Sequence, residues 1–170
     1  HLSHSENNNA DKNAVITHAH ADHARPGHNQ IFATKETIEI MKERYGANFC
    51  EKFTAYDYNQ NFKIQDINLF FAPAGHVLGS AQIVINYNSQ RVTFAGDYKR
   101  QHDPTCLPFE PIKSDIFVTE ATFGLPVFKH PDANTQIEIL IKSIQKFPNR
   151  CHIIGVYSLG KAQRIIKMLR

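Results

Sequence analysis

The chain has 170 residues, 42% of them hydrophobic and 21% charged, with a net charge of +3. That balance suits one globular domain able to bury a real core, and the mild positive charge permits a polyanionic partner without demanding one. No apolar run approaches the roughly 20 residues needed to span a membrane. The three cysteines, Cys50, Cys106 and Cys151, are widely spaced and form no C-x-x-C. They exclude a disulfide framework and a thiolate zinc knuckle, and fit a reducing, cytoplasmic setting.

Residues 1–12 (HLSHSENNNADK) are polar and read as a loop or frayed end, with no visible signal peptide. Because the sequence opens on His1 and not Met, it reads as a fragment or a processed chain. Residues 14–17 (AVIT) form a buried-type strand. Thr34 is placed to cap a helix carrying Ile38, Met41 and Tyr45 on one face, stopped by Gly46. Residues 67–72 are a strand. Residues 81–87 (AQIVINY) and 91–95 (RVTFA) are two more, joined by a hairpin loop at Asn88, Ser89 and Gln90. Residues 116–119 (IFVT) are a further strand. Asp132 caps the strongest helical pattern, with Ile137, Leu140, Ile141 and Ile144 on one face and Pro148 ending it. Residues 152–157 read as a strand, and Ser158 as the cap of a last amphipathic helix. Mixed strands and helices of this order predict an α/β or α+β fold of layered sheets.

Four of these strands each deliver a ligand-type residue just past their C-terminal ends: His18, His76, Asp97 and Glu120. There the strand fixes the backbone and the loop frees the side chain. The sharpest motif is residues 17–23, THAHADH, which places His18, His20, Asp22 and His23 within six positions. Neutral imidazoles and carboxylates are the natural ligands of zinc. In such a tight loop two histidines serve one ion and an Asp-His pair serves a second. His76 sits between Gly75 and Gly79, which let the backbone turn sharply towards an ion. Asp97, in TFAGDY, is the carboxylate able to offer one oxygen to each of two cations. Residues 155–162 nearly spell a phosphate-binding G-x-x-x-x-G-K-[ST] loop, but Ala162 replaces the metal-binding hydroxyl, so nucleotide binding there is rejected.

H-x-H-x-D-H followed by a single downstream His and then Gly-Asp-Tyr resembles the metallo-β-lactamase superfamily. Residues 74–81 (AGHVLGSA), 96–98 (GDY) and 119–124 (TEATFG) resemble its β-CASP nucleases. Residues 23–28 (HARPGH), 98–100 (YKR) and 103–106 (DPTC) look like the bacterial exonucleases associated with DNA ligase, also labelled homologues of an mRNA 3′-end processing factor. The resemblance runs from about Ala14 to Arg170.

That resemblance implies an αββα sandwich, incomplete in this chain. Residues 1–157 would be a partial metal-binding domain and residues 158–170 the start of the inserted β-CASP domain. It implies that His18, His20 and His76 hold one zinc, that Asp22 and His23 begin the second site, and that Asp97 bridges. Two Zn²⁺ are expected, with Mn²⁺ as the alternative. Glu120 matches the acidic residue that orients a later histidine, the acid for the leaving group. That histidine and the last metal ligand are expected beyond Arg170. Lys99, Arg100 and Lys161 are the expected substrate contacts, with Arg164 beside them. His28, His102 and His130 have no assigned role.

The expected activity is nucleic-acid phosphodiester hydrolysis, exonucleolytic by the subgroup resemblance, in DNA repair or RNA 3′-end processing. Two ions about 3.5–4 Å apart would lower the pKa of a shared water from about 15.7 towards about 7, with Asp22 steering the hydroxide proton. Nucleic acid is the expected partner, with DNA ligase or a helicase implied by the resemblance and no membrane. The alternative is another hydrolase of the same fold acting on a small ester, thioester, lactam or phosphodiester. A non-catalytic scaffold is disfavoured because it needs none of the six ligand residues.

Overall fold

A computed structural model describes residues 13–170; the expected N-terminal loop of residues 1–12 lies outside them. The first layer is a parallel sheet of three short strands in the order β1 (Asn13–Val15), β2 (Gln30–Ala33) and β3 (Lys52–Ala55). Helix α1 (Lys35–Tyr45) lies between β2 and β3 in sequence. The second sheet has the order β4 (Phe62–Ile64), β5 (Ile67–Pro73), β6 (Ala81–Tyr87), β7 (Gln90–Phe94) and β8 (Ile116–Val118). Its first four strands pair antiparallel and β8 joins β7 in parallel.

Strand alternation sorts the core into two layers. Ile31 and Ala33 of β2 pack with Ile16, Ile38 and Met41 on the α1 side. Phe32, between them, points the other way and packs with Phe62, Leu69, Phe71, Ala81 and Ile83 of the second sheet. The result is helix on sheet on sheet. The two sheets are joined where the amide of Ala81, at the start of β6, donates to the carbonyl of Thr17, 2.7 Å away. That bond sets the loop after β1 against the beginning of β6.

The expected α1 is present with both its caps. Thr34 accepts from the amide of Thr37, and Gly46 takes a positive φ as the helix ends. The hairpin turn is tighter than expected: Asn88 and Ser89 alone make it, both at positive φ, and β7 already begins at Gln90. Helix α2 (Ala133–Lys146) is capped by Asp132 as the sequence predicts, and α3 (Lys161–Met168) follows. Neither helix has a buried residue; Ile137, Leu140 and Ile141 are only half-buried.

Two expectations fail. Residues 152–157 form no strand: the run is β-prone, but no described neighbour offers it a ladder, and a strand exists only when paired. Ser158 is not the cap of the last helix. Gly160 takes that place at φ +92, because the side chain of Gln163 folds back to accept from its amide and to donate to the carbonyl of Ser158. All three cysteines are free. No helix of the described residues is long and apolar enough to cross a membrane.

Candidate metal centre

Four loops converge beyond the ends of β1, β5, β7 and β8. The first carries His18 to His23. The amides of His23 and Ala24 both donate to the carbonyl of His20, folding the motif into a single turn. Arg44 of α1 clamps that turn from below by donating to the carbonyl of Ala19 at 2.6 Å. The second loop carries His76. Its turn is held by Ser80, whose hydroxyl accepts from the amides of His76 and Val77, and by Thr34 and Thr37, whose hydroxyls both donate to the carbonyl of Gly79. The same threonines that begin α1 therefore also fix the His76 loop.

Two glycines make the close approach possible. A Cβ on Gly75 would stand 2.3 Å from the carbonyl oxygen of Lys99, and φ there is +71. A Cβ on Gly96 would stand 2.8 Å from that of Thr17, at φ +58. Without side chains at these positions, the His76 loop presses on the Asp97–Lys99 segment, and that segment presses on the residue before His18.

The outcome is a cluster in which one donor atom from each of His18, His20, His76 and Asp97 lies within 4.8 Å of the others. The Nδ1 of His20 stands 3.0 Å from the Nε2 of His18 and 3.2 Å from the Nε2 of His76. The Nε2 of His20 faces the carbonyl of Leu159 at 3.2 Å. A carbonyl only accepts, so Nε2 carries the proton and Nδ1 turns a lone pair into the cluster. Thr17 Oγ1 holds the far nitrogen of His18 at 3.1 Å. Such an outer contact orients a ligand ring.

His18 is fully buried, and burial, reinforced by His23, His76 and His20 around it, pushes its pKa down to about 2. Burial also lowers the pKa of His76, as does nearby His20, against the opposing charges of Asp97 and Glu120. Both rings are therefore held neutral, the form that binds a metal. Three imidazoles and a carboxylate fit a borderline cation such as zinc.

The other oxygen of Asp97 lies 3.4 Å from the Nε2 of His23, whose ring also packs on that of His18 at 4.2 Å. Asp22 approaches the same nitrogen at 3.6 Å, with its carboxylate largely exposed. The structure thus brings together all six residues expected as ligands, as a close group of four with His23 against both His18 and Asp97, and Asp22 against His23. Glu120 is half-buried and accepts from the amide of Thr122 at 2.8 Å.

The expected substrate contacts are placed differently from one another. Arg100 is exposed, and the ammonium of exposed Lys161 lies 5.8 Å from the Tyr157 ring centre. Lys99 is engaged inside the protein, donating to the carboxylate of Asp103 at 2.5 Å. Asp103 went unnoticed in the sequence as a site residue. It is buried, also accepts from the amide and hydroxyl of Thr105, and faces Arg164 of α3 at 3.6 Å. The Asp-Pro-Thr turn was the available signal, since an Asp two residues before a Thr is a common local acceptor. The roles of Thr17 and of the Leu159 carbonyl had no sequence signal, because both depend on the folded loop.

No protein-family model matches the chain. It is 35% identical over 118 residues to an endoribonuclease ysh1 from Aspergillus fumigatus, covering 66% of this chain and 13% of that protein. It is 30% identical over 122 residues to cleavage and polyadenylation specificity factor 73 from Drosophila melanogaster, covering 70% of this chain and 18% of that protein. It is 26% identical over 165 residues to a probable DNA ligase from Opitutus terrae, covering 91% of this chain and 15% of that protein. The chain thus spans less than a fifth of the length of these relatives. Among solved structures, the fold matches a protein of unknown function from Enterococcus faecalis with a TM-score of 0.62 at 14% identity, covering 98% of this chain and 46% of that one.

Proposed function

We propose, for a chain that belongs to the β-CASP nuclease group of the metallo-β-lactamase superfamily, that it is the metal-binding part of an enzyme hydrolysing nucleic-acid phosphodiesters. The observation that carries this reading is the convergence of His18, His20, His76 and Asp97, with His23 against the second oxygen of Asp97.

In this reading His18, His20, His76 and Asp97 hold one zinc, and Asp97, His23 and Asp22 contribute to a second. Such ions lower the pKa of water towards neutrality and neutralise charge growing on phosphoryl oxygens. The chain's own residues do the rest. Thr17 and the Leu159 carbonyl keep two imidazoles aimed inward. Exposed Asp22 is placed to take the proton of an attacking water. Arg100 and Lys161 stand at the exposed rim, where a phosphate backbone would pass. Lys99 acts through Asp103 and is a positioning residue, not a phosphate contact. Residues 1–157 belong to the metal-binding unit, and residues 158–170 open the inserted domain.

The names of the endoribonuclease relatives favour RNA cut internally; the ligase-associated resemblance favours exonucleolytic action on DNA. The test is digestion of RNA and single-stranded DNA by the full-length protein, each labelled at one end, with and without a chelator. Metal-dependent cleavage of either supports the reading. A ladder from the start indicates internal cuts, and early release of mononucleotides indicates exonucleolysis. Intact substrates with metal-loaded protein, together with hydrolysis of a small ester or thioester, would overturn it.

A further inference from the structure

Two histidines left without a role, His102 and His130, line one cavity. It has a volume of about 560 Å³ and lies between residues 101–104, the start of α2 and the outer face of α3. That volume is in the range of small-ligand pockets. Arg164 and Lys167 form its cationic wall, three residues apart and therefore on one helix face. Asp103 does not cancel Arg164, because Lys99 shares its single charge at closer range. The Nε of Arg164 is buried and lacks a hydrogen-bond acceptor. Asp132, the one acid of the lining, is committed to capping α2 through the amide and hydroxyl of Thr135.

An aromatic group adjoins the cavity at His130. The ring of His130 meets that of Phe123 edge to face at 4.6 Å, and Phe123 meets Phe128 in the same way at 5.4 Å. Both phenylalanines are strongly exposed, at 59% and 45%. Cations that track phosphates beside exposed rings that stack bases are the two elements of single-strand recognition. One segment links the cavity to the metal cluster. Leu159, whose carbonyl holds His20, lies just before α3. Arg164 and Lys167 follow on the first and second turns of that helix.

We infer that this cavity binds a nucleotide of the single-stranded substrate, its phosphate on Arg164 and Lys167 and its base against His130, which Phe123 backs. The inference rests on the nuclease reading and names a subsite for it. The test is fluorescence anisotropy of labelled single-stranded oligonucleotides with the full-length protein, held with chelator to prevent cleavage, across a salt series. Lys167→Ala should reduce the slope of log affinity against log salt by about 0.7, the value for one lost phosphate contact on a single strand. His130→Ala should weaken binding about tenfold at an unchanged slope, and an oligonucleotide of abasic residues should show the same loss with the native protein. Native slope and affinity in both variants would overturn the subsite. If those variants bind normally while RNA or DNA is still cleaved, the nuclease reading survives alone. If the native protein neither binds nor cleaves nucleic acid, both readings fall.

Discussion

The Oδ1 of Asp97 lies 3.4 Å from the Nε2 of His23, while its Oδ2 lies 3.6 Å from the Nε2 of His76 and 3.8 Å from that of His18. One carboxylate thus addresses both halves of the cluster. Asp97→Ala removes that shared group and leaves Asp22 as the one carboxylate among the ligand residues to offset two cations. We expect cleavage by the full-length variant to fall about a thousandfold or more, the scale on which electrostatic groups of an active site act. Asp97 is about a third exposed, so the melting temperature without metal should move by only a few degrees. Single-turnover cleavage and a thermal melt measure the two effects. Native-rate cleavage by the variant would remove Asp97 from the bridge.

Metal content gives a second check that does not require activity. Two donor groups meeting at one carboxylate should hold about two transition-metal ions per chain in the full-length protein. His20→Ala takes away the nitrogen nearest both His18 and His76, so it should strip the ion of the first group. Elemental analysis after gel filtration should fall from about two ions to about one. Zero or one in the native protein, unchanged by added zinc, contradicts the assignment.

Gly75 and Gly27 both have positive φ, but only Gly75 is crowded. A Cβ there would meet the Lys99 carbonyl at 2.3 Å and the Phe109 amide at 2.8 Å, whereas nothing lies within 4 Å at Gly27. Gly75→Ala should destabilise the fold by about 3 kcal/mol or more and reduce metal affinity, since backbone must move beside His76. Gly27→Ala should cost only the backbone strain, about 1–2 kcal/mol, and leave metal binding intact. Urea denaturation and zinc titration of both variants separate the cases. Equal costs would mean that the contact between the two loops is soft.

The ligand residues were legible because each follows a strand whose pattern is plain. His76 after β5 and Asp97 after β7 stand just past short β-prone runs, and the H-x-H-x-D-H spacing supplied the rest. The short strands β2, β3 and β4 were not read. Ile31, Phe32 and Ala33 are all buried, because β2 is covered by α1 on one face and by the second sheet on the other, so it shows no alternation. Residues 152–157 erred the other way, having strand propensity but no described partner. Lys99 was read as a phosphate contact, and its ion pair with Asp103, four positions on, was not read. Asp103 in turn reaches Arg164, 61 positions away in the chain, a contact only the fold creates.

Asp103 carries a prediction about pH. Burial alone would raise its pKa, but the hydrogen bonds from Lys99 and Thr105 outweigh that and hold it below the usual carboxylate range. A carboxylate depressed in the folded state binds its proton more weakly there than in the unfolded chain. Its contribution to stability is therefore complete above the unfolded pKa of about 3.9 and is lost as pH falls through the lower folded value. Asp103→Asn keeps the shape and removes the charge. It should cost about 2 kcal/mol at neutral pH, the scale of a buried hydrogen bond to a charged group. The gap in melting temperature between native and variant should be flat from about pH 8 to about pH 5 and should close below about pH 4. Because Asp103 joins the Asp97–Lys99 loop to α3, the variant should also release the Leu159 carbonyl from His20, so zinc affinity should fall together with stability at neutral pH. A variant that loses stability equally at every pH would show Asp103 acting by shape alone. One that loses stability but binds zinc as tightly as the native protein would show that α3 and the metal loop are not coupled through it.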